Sequence, residues 1–166
     1  MIVAIDASIL IFLFERDASA PIDEATGEPL LRCYDRVNHL VAELQANSAK
    51  IVIPTPALAE ILVNAGEAGP EWLRIIEKSP HFVVSQFDKL AATEHAARMI
   101  ERPRPIPQGK RKAKFDDQII AIARLAGAEV IYSDDGDIWK DAGAGIRVIG
   151  TCDLRLPPED PQGNLF

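Results

Sequence analysis

Five short runs rich in β-branched and aromatic residues punctuate this chain, at residues 1–5, 51–53, 82–84, 129–132 and 146–149. Each is too short for a helix and too apolar for a loop, so each reads as a buried strand. Between them lie segments of tens of residues in which apolar side chains recur at helical spacing. Strands this far apart in sequence are not hairpin partners; they pair in parallel through crossover helices. The predicted order is β-α-α-β-α-α-β-α-α-β-α-β. That is an α/β chain, a three-layer α/β/α sandwich with a mainly parallel central sheet. Its 166 residues suit one domain with a sizeable core, placed at residues 1–156. The tail from 157 to 166, PPEDPQGNLF, reads as extended or disordered.

Local signals punctuate the helices. Thr55 followed by Pro56 is a cap-then-proline start for a helix over 57–64, which stops near Gly66. Residues 30–47 carry Leu31, Tyr34, Val37, Leu40, Val41 and Leu44 on one face of a surface helix. Residues 16–29 have turn formers and no period, a loop long enough to be mobile or a functional flap. Asp116 and Asp117 stand where a helix is predicted to begin, with Ile119, Ile120, Ile122, Ala123 and Ala126 forming its apolar stripe and Gly127 its end.

The net charge of −7 argues against a generic nucleic-acid binder, yet six of the 18 basic residues fall within 102–114, a Pro-rich segment predicted to be a loop. Cys33 and Cys152 are far apart and have no metal-ligand spacing, which fits a reducing compartment. His39, His81 and His95 form no HxxxH or HExxH pattern. The apolar stretch 2–14 is too short to span a bilayer, is interrupted by Asp6 and follows no basic residue, so neither a signal peptide nor a membrane segment is expected. The expected location is cytoplasmic, with no membrane partner.

The carboxylates carry the chemistry. Ligands of open parallel sheets bind beyond the carboxyl ends of the strands. Asp6 ends the first strand, Asp134, Asp135 and Asp137 follow the fourth, Asp116 opens the helix feeding it, and Glu60 lies one turn into the helix after strand two. Acids gathered there repel one another, by roughly 4 kcal/mol per pair at 4 Å. Protonation, Lys or Arg pairing, or a hard divalent cation would relieve this. With oxygen donors and no His or Cys at ligand spacing, Mg²⁺ or Mn²⁺ is favoured over zinc.

Three stretches, in order, resemble the PIN-domain nucleases, and within them the VapC-type toxins of toxin–antitoxin pairs: IVAIDASILI, TPALAEIL and DDQIIAIARLAGAEVIYSDDGDI. The likeness runs from residue 2 to about 150. It implies a PIN-like fold and a metal-dependent ribonuclease that hydrolyses RNA phosphodiester bonds. Carried over by position, Asp6, Glu60, Asp116 and Asp134 form the catalytic acidic quartet. Asp6, Asp116, Asp134 and Asp137 would hold Mg²⁺ or Mn²⁺. Asp116 is chosen over Asp117 because Ile119, Ala121, Ala123 and Gly127 then fall on the family's apolar and glycine positions. Ser8 matches the small hydroxyl near the first acid, and Ser8, Lys110, Arg111, Lys112 and Lys114 would contact RNA. A homodimer and an antitoxin partner are implied. The departures are Tyr132, where the family commonly has Thr, and the long 16–29 loop.

Rival architectures lack their marks. Position 8 is Ser rather than the second Asp of a haloacid-type phosphatase. GxGxxG does not follow strand one, and Asp88 alone would serve a receiver domain. The alternative from another class is a PIN-like scaffold that binds RNA or protein without cutting. Separately, Gln162 to Phe166 resembles the Gln-x-x-Leu-Phe peptides that enter the replication sliding clamp.

Overall fold

In a computed structural model, residues 1–101 and 111–158 are described, with the side chains of 111–114 outside that description. Five strands form: β1 (Ile2–Ile5), β2 (Lys50–Pro54), β3 (Phe82–Ser85), β4 (Val130–Tyr132) and β5 (Arg147–Ile149). All pair in parallel, in the order β3-β2-β1-β4-β5. The chain builds outward from β1 to β3, then returns to β1's other side for β4. This reversal places the topological switch point between β1 and β4, where a crevice opens beyond the carboxyl ends. Central strands are buried on both faces and so are almost wholly apolar, as Val3, Ala4 and Ile5 are. The edge strand β3 leaves Val83 and Val84 partly exposed.

The helices are α1 (Ala7–Leu10), continued by a 3-10 turn at Ile11–Leu13, then α2 (Cys33–Ala46), α3 (Thr55–Ala65) and α4 (Gly69–Lys78). They are followed by α5 (Lys89–Glu101), α6 (Arg111–Leu125) and α7 (Gly136–Asp141). Element order and the three-layer α/β/α sandwich agree with the sequence-based expectation. Helix α3 starts on Pro54, with Pro56 in its first turn, and ends at Gly66 with φ 53°. Helix α6 ends at Gly127, whose φ of 72° lets its N–H reach the Arg124 carbonyl while the Ala128 N–H reaches that of Ala123. These two bonds close the helix and turn the chain into β4.

Two boundaries differ. Helix α2 begins at Cys33, so Leu31 lies before it and is exposed rather than on its buried face. Helix α6 includes 111–114, so Asp116 and Asp117 lie within the helix rather than at its first residue. The run Arg-Lys-Ala-Lys consists of good helix formers, and their propensity extends the helix backward. Residues 102–110, including Lys110, and 159–166, including the clamp-like Gln162–Phe166, lie outside the described residues. The side chains of Arg111, Lys112 and Lys114 do as well. Among the described residues no helix is long and apolar enough to cross a membrane.

Candidate metal centre and active site

Strand β1 delivers Asp6 to the switch point. Its N–H donates to the Tyr132 carbonyl at 2.9 Å, so the β1–β4 ladder runs into the site. Its own carbonyl accepts from the N–H groups of Ile9 and Leu10, starting α1. The carboxylate is buried, and Oδ2 accepts from Ser8 Oγ and from Ser133 Oγ, both at 2.9 Å. Each hydroxyl also accepts a backbone N–H, Ser8 from Asp134 and Ser133 from Asp135, both at 3.0 Å. Two serines thus pin the loop after β4 to the acid after β1. Burial raises the Asp6 pKa, the two hydroxyls and the Ala7 backbone pull it back, and the nearby Asp135 charge adds to the rise.

That direction fixes a pH dependence. A carboxyl whose folded pKa lies above its unfolded one binds protons preferentially in the folded state. Asp6 therefore contributes stability that is fully present below the ordinary carboxyl value of 3.8 and is lost as pH rises through the folded value. Asp6→Asn keeps an acceptor for both serines and removes the charge. In metal-free protein it is expected to raise Tm at pH 7, with the gain shrinking toward zero as pH falls to about 3.8. Thermal unfolding across that range tests this; an equal gain at both ends would sink it.

Helix α6 presents two neighbouring acids to different surroundings. Successive helical residues point about 100° apart. Asp117, 1% exposed, turns to Arg98 of α5, whose Nη1 lies 4.0 Å from its Oδ1 and donates to its carbonyl at 3.3 Å. The same guanidinium donates to the Asp141 carbonyl at 2.6 Å, at the end of α7. Asp116, also buried, faces the crevice instead.

After β4 the alternation of an extended chain decides which acid goes where. Tyr132 pairs with Ile5, Ser133 and Asp135 project toward Asp6, and Asp134 projects away. Asp134 Oδ1 accepts the Thr151 N–H at 2.6 Å and its Oδ2 accepts the Thr151 hydroxyl at 2.5 Å. Thr151 is fully buried. Gly150 makes room for this clasp, since a Cβ there would lie 2.9 Å from Asp134 Oδ1. Asp135 caps α7 through the Asp137 N–H at 2.8 Å. Carboxylate oxygens of Asp116, Asp135 and Asp137 all lie within 4.8 Å of one another.

A cavity of about 380 Å³ gathers Asp6, Ser8, Glu60, Asn64, Asp116 and Asp135, with Val63, Phe115 and Ile119 as its apolar wall. Of the sequence-based candidates, Asp6, Ser8, Glu60 and Asp116 therefore share this cavity, and Asp137 joins Asp116 in the acidic cluster. Glu60 stands at the exposed rim. Asp134 lines an adjoining hollow with Ser8 and Glu60, and its carboxylate is engaged by Thr151. Asp135 and Ser133 are the residues that sequence reasoning did not select. The period-2 alternation from Tyr132 is the signal that points to both.

No family model matches the chain, and no curated protein sequence matches it. Solved structures do. The VapBC2 complex of Rickettsia felis, bound to a DNA fragment from its promoter, matches over 90% of this chain and 98% of that one, with TM-score 0.59 and 13% identity. Mycobacterium tuberculosis VapC20, a sarcin–ricin-loop-cleaving toxin, matches over 89% and 99%, with TM-score 0.57 and 15% identity. The chain has the PIN-like fold. At these identities the likeness is one of fold.

Proposed function

We propose that this protein is a metal-dependent endoribonuclease of the toxin type, cutting RNA phosphodiester bonds at the crevice between β1 and β4. The observation that carries the reading is the carboxylate cluster: Asp116, Asp135 and Asp137 within 4.8 Å, beside buried Asp6. At that spacing each ionised pair repels by roughly 3–4 kcal/mol at an effective dielectric near 20. The donor set, carboxylate oxygens without His or Cys, fits Mg²⁺ or Mn²⁺. Asp6, Asp116, Asp135 and Asp137 would hold the ion, with Asp135 in the place that the sequence reading gave to Asp134. When bound, such a cation acidifies water and offsets charge on phosphate oxygens.

The chain's own groups do the rest. Ser8 and Ser133 hold the Asp6 carboxylate in one orientation, and Glu60, which lines the cavity, would accept a proton from water or orient it. With Asp135 as the fourth acid, the hydroxyl two residues before it is Ser133, so Tyr132 need not supply one. Lys110, Arg111, Lys112 and Lys114 would grip flanking phosphates without reading sequence. The VapBC2 structure supports an antitoxin partner, for which the exposed Val63 and Phe115 beside the acidic pocket offer an apolar rim. A homodimer belongs to the same reading.

Incubation with a ribosomal RNA hairpin tests it. Cleavage is expected with Mn²⁺ or Mg²⁺ and is lost with EDTA; RNA bound but uncut in all conditions would instead support a PIN-like scaffold. A second expectation needs no substrate. Divalent ion at about 100 times its Kd should stabilise the fold by about 2.7 kcal/mol, and Asp137→Asn should remove most of that gain. An unchanged Tm on adding metal would count against the cluster as a metal centre.

A further inference from the structure

The cavity that gathers the acids has a wall that cation chemistry does not use. Val63 of α3 and Phe115 and Ile119 of α6 line it together with Asp6, Asp116 and Asp135. Its volume, about 380 Å³, is that of a small-molecule site. Ile119 is buried, but Val63 is 81% and Phe115 56% exposed. Apolar side chains scattered singly on a surface need no account. Two large ones sharing a cavity with carboxylates do, because their hydration costs free energy that a bound apolar group would recover.

Helix α6 sets the ring beside the acid. Phe115 and Ile119 are four residues apart and share one face of the helix, and Asp116 is the residue next to the ring. The Cα atoms of Phe115 and Asp116 are therefore about 3.8 Å apart. Among the described residues Phe14 stacks on Trp72 and Phe87 meets His95 edge-on, while Phe115 has no ring partner. A phenyl ring has no hydrogen-bonding atom, so what it takes up must offer a flat or apolar face. A nucleotide satisfies both walls at once. Its phosphate goes to a cation held by the acids, and every base has a π-face for the ring. Asn64, in the same cavity, carries two amide donors and a carbonyl acceptor, which suit the polar edge of any base.

We propose that Phe115 is a base-stacking platform, which takes the base of a nucleotide flanking the cut against its ring, whatever that base is. The proposal rests on the ribonuclease reading for the position of the cut.

Cleavage of a short RNA in Mn²⁺ gives the first readout. Phe115→Ala is expected to lower kcat/KM by roughly 10-fold, the scale of one lost stacking contact, mainly through KM. Phe115→Trp should restore the wild-type value and Phe115→Leu should not, since leucine keeps apolar area but has no ring. An RNA made abasic at the stacked nucleotide should cost the wild type a similar factor, and Phe115→Ala should cost nothing further on it. Because the ring is more than half exposed, all three variants should keep Tm within about 2 °C of wild type.

The second readout needs no cleavage. It uses Ca²⁺, another hard cation that takes oxygen ligands, and RNAs with the fluorescent base 2-aminopurine at successive positions. One position should be quenched on binding, and Phe115→Ala should abolish that quench. Cleavage indifferent to Phe115→Ala, or leucine serving as well as phenylalanine, overturns the platform, leaves the nuclease and assigns the ring to a protein partner. No quenched position in the wild type overturns it too. Quenching that Phe115→Ala removes, in a protein that cuts no RNA, supports the platform and defeats the nuclease reading.

Discussion

Asp135→Asn is expected to lower RNA cleavage by about 10³-fold while leaving the fold intact, and Asp134→Ala to do the reverse. The contrast follows from where two adjacent carboxylates point. Asp135 lines the cavity with Asp6 and Asp116, and its oxygen lies within 4.8 Å of those of Asp116 and Asp137. Asn keeps the cap on the Asp137 N–H but removes a charge that a cation would need. Losing one electrostatic element of a reaction site costs roughly 10²–10³ in rate. Relief of repulsion should also leave the metal-free variant slightly more stable.

Asp134 makes two short bonds to buried Thr151, one to its N–H and one to its hydroxyl. Removing the carboxylate strips both partners at once, at about 1–3 kcal/mol each. Asp134→Ala should therefore lower Tm by roughly 5–15 °C for a chain of this size. Paired measurements of cleavage and thermal unfolding on both variants decide the matter. If Asp134→Ala abolished cleavage at unchanged Tm while Asp135→Asn cut normally, the assignment would be wrong.

The second large effect concerns Arg98. It joins α5 to the Asp117 carboxylate and carbonyl on α6 and to the Asp141 carbonyl at the end of α7. These are charge-assisted contacts in a mostly buried setting, Arg98 being 15% and Asp117 1% exposed at the side chain. A cation at a helix C-terminus also complements the macrodipole of α7. Arg98→Ala is expected to cost about 2–4 kcal/mol, and Arg98→Lys to recover only part, since an ammonium lacks the planar fork that serves two carbonyls. Because Arg98 holds Asp117, the neighbour of Asp116 on α6, the alanine variant should also bind Mn²⁺ more weakly, by titration below its Tm. Full metal affinity in a destabilised variant would confine Arg98 to stability alone.

How far could the sequence go? The alternation of short β-branched runs with helical stretches already implied the parallel sheet, and the observed order of elements follows it. Gly127 marked the end of α6 and the Thr55-Pro56 pair the start of α3, because such signals are written in one or two residues; the capping residue is nevertheless Pro54, and the Thr55 hydroxyl accepts the Phe87 N–H instead. The gathering of distant acids was also legible, through the rule that places strand ends together. The beginning of α6 was not, since helix formers at 111–114 sit in a segment whose prolines and charges read as loop.

What the sequence by itself determined is the set of elements and the sheet edge on which the acids converge, since periodicity and capping act over a few residues. Only the tertiary structure gave Asp134 and Asp135, and Asp116 and Asp117, their different surroundings. Their difference lies in groups far along the chain: Thr151 for Asp134, Asp6 for Asp135 and Arg98 for Asp117. A carboxylate's role here depends on which direction the strand pleat or helix turn sends it, and that direction acquires meaning only once β1, β4 and α5 are in place around it.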